Sequence, residues 1–487
     1  QTVPLPERTN IEHFETARDT AELNRNLRLE GLDPKQVPLV KQLTTEFWDV
    51  FCESGLQKPI RGFVFDVDTG DAAPIQCKYP RYGQHETRVL RDLCNKLATN
   101  GIIEPIQSAW ASKAILAAKP GQDNVPWYQF IWRLCVNFRP VNAVTKPFKF
   151  PMPRCDDAVA DIPPWATWFA SFDMDSGYWQ IAATQNAREK LAWYTPDDLV
   201  AFTRMPMGAL NSATTFVAMV LRLRKEWNDH ARESMRKNKW AGKMGAKAII
   251  DDILVYADSI ETMVWYLKSM FTILRHYQCT LKLKKAEWFK RSTEYVGKEI
   301  TAIGNQPARS KTADLEKLPI PADFTSLRGI MGFFGHYADH MPLLEIRFAP
   351  YRAILEQEAP PGTETAPEVA LRFAKLWTTE DTALFQELKT DFLERPILQR
   401  PNEKKPFYVK TDWSKYGMAG CLMQEAIETD PGEPSRKSQP PKTHRQRWFK
   451  IQNEWIKMAP IAYIARRTRK EEWKLHSATG EAKTGIW

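Results

Sequence analysis

The chain has 487 residues, 43% of them hydrophobic, enough for real cores and for about three domains. No apolar run approaches the ~20 residues that cross a bilayer, and the start at Gln1 carries no signal or transit pattern and reads as a piece of a longer polypeptide. Seven scattered cysteines, none in a C-x-x-C pair, exclude a disulfide framework or a zinc ribbon, while a net charge of +9 with many aromatic residues favours a polyanionic partner such as nucleic acid, with no membrane.

In chain order, residues 1–60 read as polar and helical, with an amphipathic stripe from Leu39 to Phe51. Asp68-Thr69-Gly70 is the triplet of an aspartic protease, but the helical stretch Glu86 to Ile103 follows directly, where such an enzyme needs short strands. That reading is rejected. Gly101 to Lys119 predicts a turn and an apolar strand, Pro120 to Phe130 is a polar insert, and Ile131 to Thr145 is a second strand candidate carrying Arg133 and Arg139. Pro147, Pro151 and Pro153 mark a linker.

Thr167 to Ile181 alternates into Asp173 and Asp175 and breaks at Ser176-Gly177, so a strand delivers a carboxylate to its end. Tyr194 to Phe216 predicts a hairpin, a Pro-Met-Gly turn and an N-cap at Asn211 or Ser212; beyond it, Phe216, Val220, Leu223 and Trp227 form the core face of a helix. The Lys/Arg-rich run from Leu221 to Lys247 suits a solvated face or a phosphate track. Next, Ile249-Ile250 and Ile253-Leu254-Val255 flank Asp251-Asp252 at a hairpin turn. A helix from Glu261 to His276, a basic strand from Thr280 to Lys290, and a helical stripe of Leu327, Ile330, Met331, Phe334 and Tyr337 follow. After a loop between about Glu356 and Pro367, the last unit opens with a strand from Lys405 to Gln424.

An Asp-Asp turn is either a solvated hairpin or a metal site. Phosphoryl transfer needs divalent cations and hard oxygen ligands, and a strand-end Asp173 about eighty residues before an apolar-flanked Asp251-Asp252 hairpin suits a palm-type polymerase. Spacing by itself leaves both readings open.

The ordered motifs "DTGDAAPI", "GIIEPIQSAWAS", "WRLCVNFRPVN", "FDMDSGYWQI", "RMPMGALNSATTF", "IIDDILVYA", "YVGKEI" and "LRGIMGFFGHY" resemble the reverse transcriptase of gypsy-type LTR retrotransposons and their retroviral relatives, from about Glu46 onward. The resemblance implies an α+β multidomain chain, a right-hand polymerase of fingers, palm and thumb followed by a partial RNase H-like α/β unit. It suggests a lead-in over 1–74, fingers and palm over 75–300, thumb and connection over 301–400, and the RNase H-like part over 401–487.

It further implies that Asp173, Asp251 and Asp252 hold two Mg²⁺ ions, with Mn²⁺ as a substitute. Arg133 would contact the incoming triphosphate, Tyr178 would lie under the sugar and exclude a 2′-hydroxyl, and Met207-Gly208 would close over nucleotide and template base. Tyr295, Val296 and Gly297 would grip the primer end, and Phe172 and Ile253 would be plain core. Asp412 matches the first RNase H ligand and Glu481 the second; the third and fourth aspartates of that pattern have no counterpart, so this chain is not expected to cleave RNA by itself. Ile249 stands where relatives carry an aromatic, Ala213 where they carry proline, and Asp175 where Arg or Gly is common; Asp175 is given no metal role. Implied partners are an RNA template, a DNA primer or hybrid, dNTPs, protease and integrase products of the same polyprotein, and a second copy in a dimer. The implied location is a cytoplasmic particle with a nuclear destination for the product. The competing expectation is a decayed or host-adopted copy that binds nucleic acid or protein as a scaffold without catalysis.

Overall fold

The computed structural model describes residues 26–51, 58–119, 122, 125–360, 365–394, 397–413, 417–427, 435–437, 448–451 and 454–467. The chain divides into two compact units, Gln1–Ala158 with Ala166–Lys290, and Val159–Trp165 with Arg291–Trp487. No helix of the described residues is long and apolar enough to cross a membrane.

In the first unit, α1 (Val37–Glu46) buries Val40 and Leu43, the stripe that its apolar spacing predicts. After α2 (Gln84–Thr99) come β1 (Ile103–Pro105), β2 (Ser112–Ala118) and β3 (Trp132–Asn137), the last two paired antiparallel. The strand expected over Ile131 to Thr145 ends at Asn137. Pro140, which has no N–H to lose in a first helical turn, instead helps start α3 (Arg139–Val144).

β4 (Trp168–Asp173) belongs to a second sheet, whereas β5 (Trp193–Tyr194) and β6 (Leu199–Phe202) complete the first in the order β1-β6-β5-β2-β3. α4 (Ser212–Lys237) buries Phe216, Val220, Leu223 and Trp227 as its spacing predicts. Asn211 stands at its N-cap position but does not cap it with its side chain, which instead accepts from the Phe148 N–H and donates to the Lys146 carbonyl, both at 2.9 Å. β7 (Met244–Ile249) and β8 (Asp252–Ala257) form the expected hairpin, and α5 (Ile260–Tyr277) follows, capped by Ser259 accepting from Thr262 N–H at 3.1 Å. Its Met263, Leu267, Met270 and Leu274 are fully buried, each contributing roughly 1.5–3 kcal/mol of transfer free energy.

The basic strand expected over Thr280 to Lys290 is mostly something else. Leu281 bridges to Met174, Leu283–Lys285 is a 3₁₀ turn, and regular pairing begins only at β9 (Glu287–Lys290). Docking against β4 overrides the local strand preference here. The second sheet is antiparallel in the order β9-β4-β8-β7.

In the second unit, β10 (Ser292–Tyr295), β11 (Lys298–Thr301) and β12 (Gly304–Pro307) lead to α6 (Arg309–Glu316) and α7 (Phe324–His336). Leu327, Ile330, Phe334 and Tyr337 are buried against Phe385, Leu388 and Phe392 of α8 (Thr379–Leu393); Met331 of the predicted stripe is only partly buried. β13 (Leu398–Gln399) closes the sheet β10-β11-β12-β13. Where one strand was expected over Lys405 to Gln424 there are two, β14 (Tyr408–Trp413) and β15 (Gly417–Glu425), and β15 pairs further with β16 (Glu454–Arg467).

Candidate active site

Asp173 ends β4, Asp252 begins β8, and the antiparallel register sets them directly opposite each other. Asp252 also pairs with Ile249 of β7, so Ile250-Asp251 is a two-residue turn. The Met174 N–H donates to the Asp251 carbonyl at 3.2 Å and ties this turn to the end of β4. Ile250 has φ of 53°, where a β-branched side chain is strained by roughly 1–3 kcal/mol. One step back along both strands, Phe172 and Ile253 pair with each other and are buried core, as expected. Phe172 meets Trp288 edge-on at 5.0 Å, so an aromatic core backs the sheet end that carries the carboxylates.

Lys285 of the 3₁₀ turn donates through Nζ to Asp173 Oδ2. Desolvation, with the like charges of Asp251 and Asp173, pushes the Asp252 carboxyl up to about 6, against the opposing pull of Lys285. The hydrogen bond to Asp173 raises the Lys285 ammonium pKa. Gln180, itself buried, staples the stretch behind Asp173: its Nε2 donates to the Asp175 carbonyl at 2.6 Å and the Thr280 carbonyl at 2.9 Å, and its Oε1 accepts from Thr280 N–H at 2.9 Å. Asp175 lies 3.9 Å from Lys282.

Tyr178 stacks on Phe216 with ring centroids 5.1 Å apart and planes 8° from parallel. Gly177 permits the approach, since a Cβ there would lie 2.6 Å from the Phe216 ring. Burial and the charge of Asp251 both raise the Tyr178 phenol pKa, which ties this ring to the aspartates. Met207 is 69% exposed, and Asn142 of α3 holds the turn beside it, donating to the Gly208 carbonyl and accepting from Leu210 N–H, both at 2.9 Å.

Asp173, Asp251, Asp252 and Tyr178 are thus brought together. Arg133 is exposed on β3 opposite Ala117, in the five-stranded sheet of this unit. Val296 and Gly297 form the turn between β10 and β11 in the second unit, next to buried Tyr295. Asp412 is exposed on β14 opposite Ala419, and Glu481 lies outside the described residues. Three supporting residues escape a sequence reading: Lys285, Gln180 and Asn142. Lys285 is 112 positions from its partner Asp173, and no short-range pattern links them.

Among the described residues, no group of three or more His, Cys, Asp or Glu forms a metal-binding cluster as it stands. The donor chemistry still suits a hard divalent cation. Lys285 bonds Asp173 and feels the charges of Asp251 and Asp252, and burial together with the like charges of Asp251 and Asp173 holds Asp252 towards its protonated form, which a cation would relieve.

Residues 124–300 match the family described as reverse transcriptase (RNA-dependent DNA polymerase), and residues 377–447 match the RNase H-like domain found in reverse transcriptase. The retrovirus-related Pol polyprotein from transposon 297 of Drosophila melanogaster is 24% identical over 82% of this chain and 35% of its own length. The corresponding polyproteins from transposons opus and gypsy of the same organism are 25% and 26% identical, over 97% and 68% of this chain and 42% and 30% of theirs. The chain therefore spans less than half the length of these relatives. A foamy viral protease-reverse transcriptase solved with double-stranded DNA superposes with a TM-score of 0.73 at 16% identity, covering 100% of this chain and 73% of that one. A second, solved with an RNA/DNA hybrid, gives 0.71 at 16%, covering 100% and 56%. The fold and the resemblance carried by the eight motifs are borne out.

Proposed function

We propose that this chain, a reverse transcriptase domain followed by an RNase H-like domain of the retrotransposon Pol type, is an RNA-directed DNA polymerase that extends a primer 3′-hydroxyl. The observation that carries the reading is the register of Asp173 opposite Asp252, with Asp251 in the adjoining turn. These three residues would hold two Mg²⁺ ions, or Mn²⁺ in their place. When bound, such ions neutralise the triphosphate and activate the primer hydroxyl for in-line attack on the α-phosphate, releasing pyrophosphate.

The remaining work falls to the chain's own side chains. Arg133 offers the triphosphate a forked, permanently charged donor. Tyr178, stiffened by its stack on Phe216, lies under the sugar and leaves no room for a 2′-hydroxyl. The Met207-Gly208 turn, held by Asn142, closes over the nucleotide and the template base. Tyr295, Val296 and Gly297 hold the primer end. The net charge of +9 suits an RNA template and its hybrid with DNA, and positioning with charge neutralisation supplies the rate. In the RNase H-like part, Asp412 and Glu481 would be two of the several carboxylates that two-metal cleavage of RNA needs.

The test is extension of a DNA primer on poly(rA) with dTTP and Mg²⁺, comparing the parent chain with Asp251→Asn plus Asp252→Asn. Synthesis that disappears in the double variant supports the reading. A folded parent chain that binds the hybrid without extending it favours the non-catalytic scaffold.

A further inference from the structure

Polar contacts hold the turn between β10 and β11. One side of it borders an apolar cleft of about 490 Å³, lined by Val296, Gly297, Leu315, Leu318, Phe333 and Tyr337 among others. Both turn residues have positive φ, 45° at Val296 and 79° at Gly297, and the β-branched Val296 is strained there. Across the cleft, the buried Tyr337 donates from its phenol to the Gly297 carbonyl at 3.0 Å, and the Ala308 N–H donates to the same oxygen at 3.0 Å. A Cβ on Gly297 would come within 2.8 Å of that phenol oxygen, so the approach is close enough to fix the turn's height above the helices.

Tyr337 is itself anchored. Its ring packs against Phe392 of α8 at 4.9 Å and Phe333 of α7 at 5.5 Å. Two residues on, Asp339 accepts from Lys298 Nζ at 2.7 Å, directly after the turn, and lies 2.8 Å from Nδ1 of the fully buried His340. The turn is therefore bonded at Gly297, and one residue on at Lys298, to the segment that ends α7.

We propose that Tyr337 is a positioning residue, which sets where the Val296-Gly297 turn holds the primer terminus. This rests on the reading of that turn as the primer grip. A single phenol bond to a carbonyl in the turn backbone changes the turn's placement without touching the reacting atoms, so its loss acts on the chemical step of a bound primer and leaves hybrid affinity alone.

The test is single-turnover addition of dTTP to a DNA primer on poly(rA), with hybrid affinity measured separately, for the parent, Tyr337→Phe and Leu388→Ala. Leu388→Ala loosens the same helical core without removing the phenol, and is expected to lower the melting temperature while keeping the rate at an assay temperature well below it. Tyr337→Phe is expected to lower the maximal rate about tenfold, the worth of one hydrogen bond, with hybrid and dTTP affinity unchanged and a near-parental melting temperature. A Tyr337→Phe rate equal to the parent's overturns the proposal, as does a rate loss that Leu388→Ala reproduces. A parent chain that binds no hybrid, or binds it without adding a nucleotide, defeats the polymerase reading itself, a result distinct from an active parent with an indifferent Tyr337→Phe.

Discussion

Two hairpin turns, Ile250-Asp251 in the first unit and Val296-Gly297 in the second, are built alike and finished oppositely. Each has two residues, and each places a β-branched side chain at positive φ, 53° and 45°. Beside the first, Lys285 bonds Asp173 and feels the charges of Asp251 and Asp252, and Asp252 is driven up to about 6. Beside the second, Asp339 is opposed by its own burial, yet the His340 ring and the Lys298 ammonium hold it down at about 2. Buried like charges crowd one turn, and the carboxylate at the other is neutralised from within the chain. Carboxylates crowded together at a strained turn point to a ligand of opposite charge; a carboxylate closed off by its own partners points to placement.

The largest effect that would break this contrast is expected from Asp252→Asn. Primer extension should fall by about 100-fold or more, as removal of a metal ligand from a concerted site does. Without metal at neutral pH, the same variant should melt higher than the parent, because a carboxyl whose folded pKa is raised costs stability once the pH exceeds its ordinary value of 3.8 and passes about 6. An unchanged or lower melting temperature would show that ionised Asp252 costs the fold nothing.

Asp339→Asn should behave in the opposite sense. A depressed folded pKa contributes stability that is complete above the ordinary value of 3.8 and is lost as the pH falls through about 2. Denaturant unfolding of parent and variant should therefore differ by about 2 kcal/mol at neutral pH and converge near pH 2. A difference independent of pH would remove the ion pair from the account.

Lys285→Met should sharpen the comparison at the acidic turn. With its lysine gone, the cluster should bind Mn²⁺ about 3- to 10-fold more tightly, read by electron paramagnetic resonance of the free ion. Weaker binding would mean that Lys285 organises the carboxylates and does not compete with a cation. The smallest effect concerns strain. Val296→Asn should raise stability by roughly 0.5–1 kcal/mol, since Asn tolerates the left-handed region and Val does not. A loss on chemical denaturation would place the value of Val296 in its packing.

The sequence by itself determined the parts whose causes are local. Period-3.6 stripes located α1, α4, α5 and α7, apolar flanks with an Asp-Asp break located the β7-β8 hairpin, and the run into Asp173 ended a strand where it should. Ordered motifs carried the family resemblance and, with it, the three aspartates. Only the tertiary structure decided which groups compensate them. Strand register sets Asp252 against Asp173, and the segment Thr280 to Lys290, which reads as a strand, is bent by docking on β4 into the turn that presents Lys285. Asn211 left its expected cap for two backbone partners more than sixty residues away, and Asn142 reached the Gly208 turn over a similar separation. Hydrophobic period and turn chemistry act over a few residues and are written in order along the chain. Hydrogen bonds and ion pairs between distant segments depend on how sheets and helices pack, and that packing exists only in three dimensions.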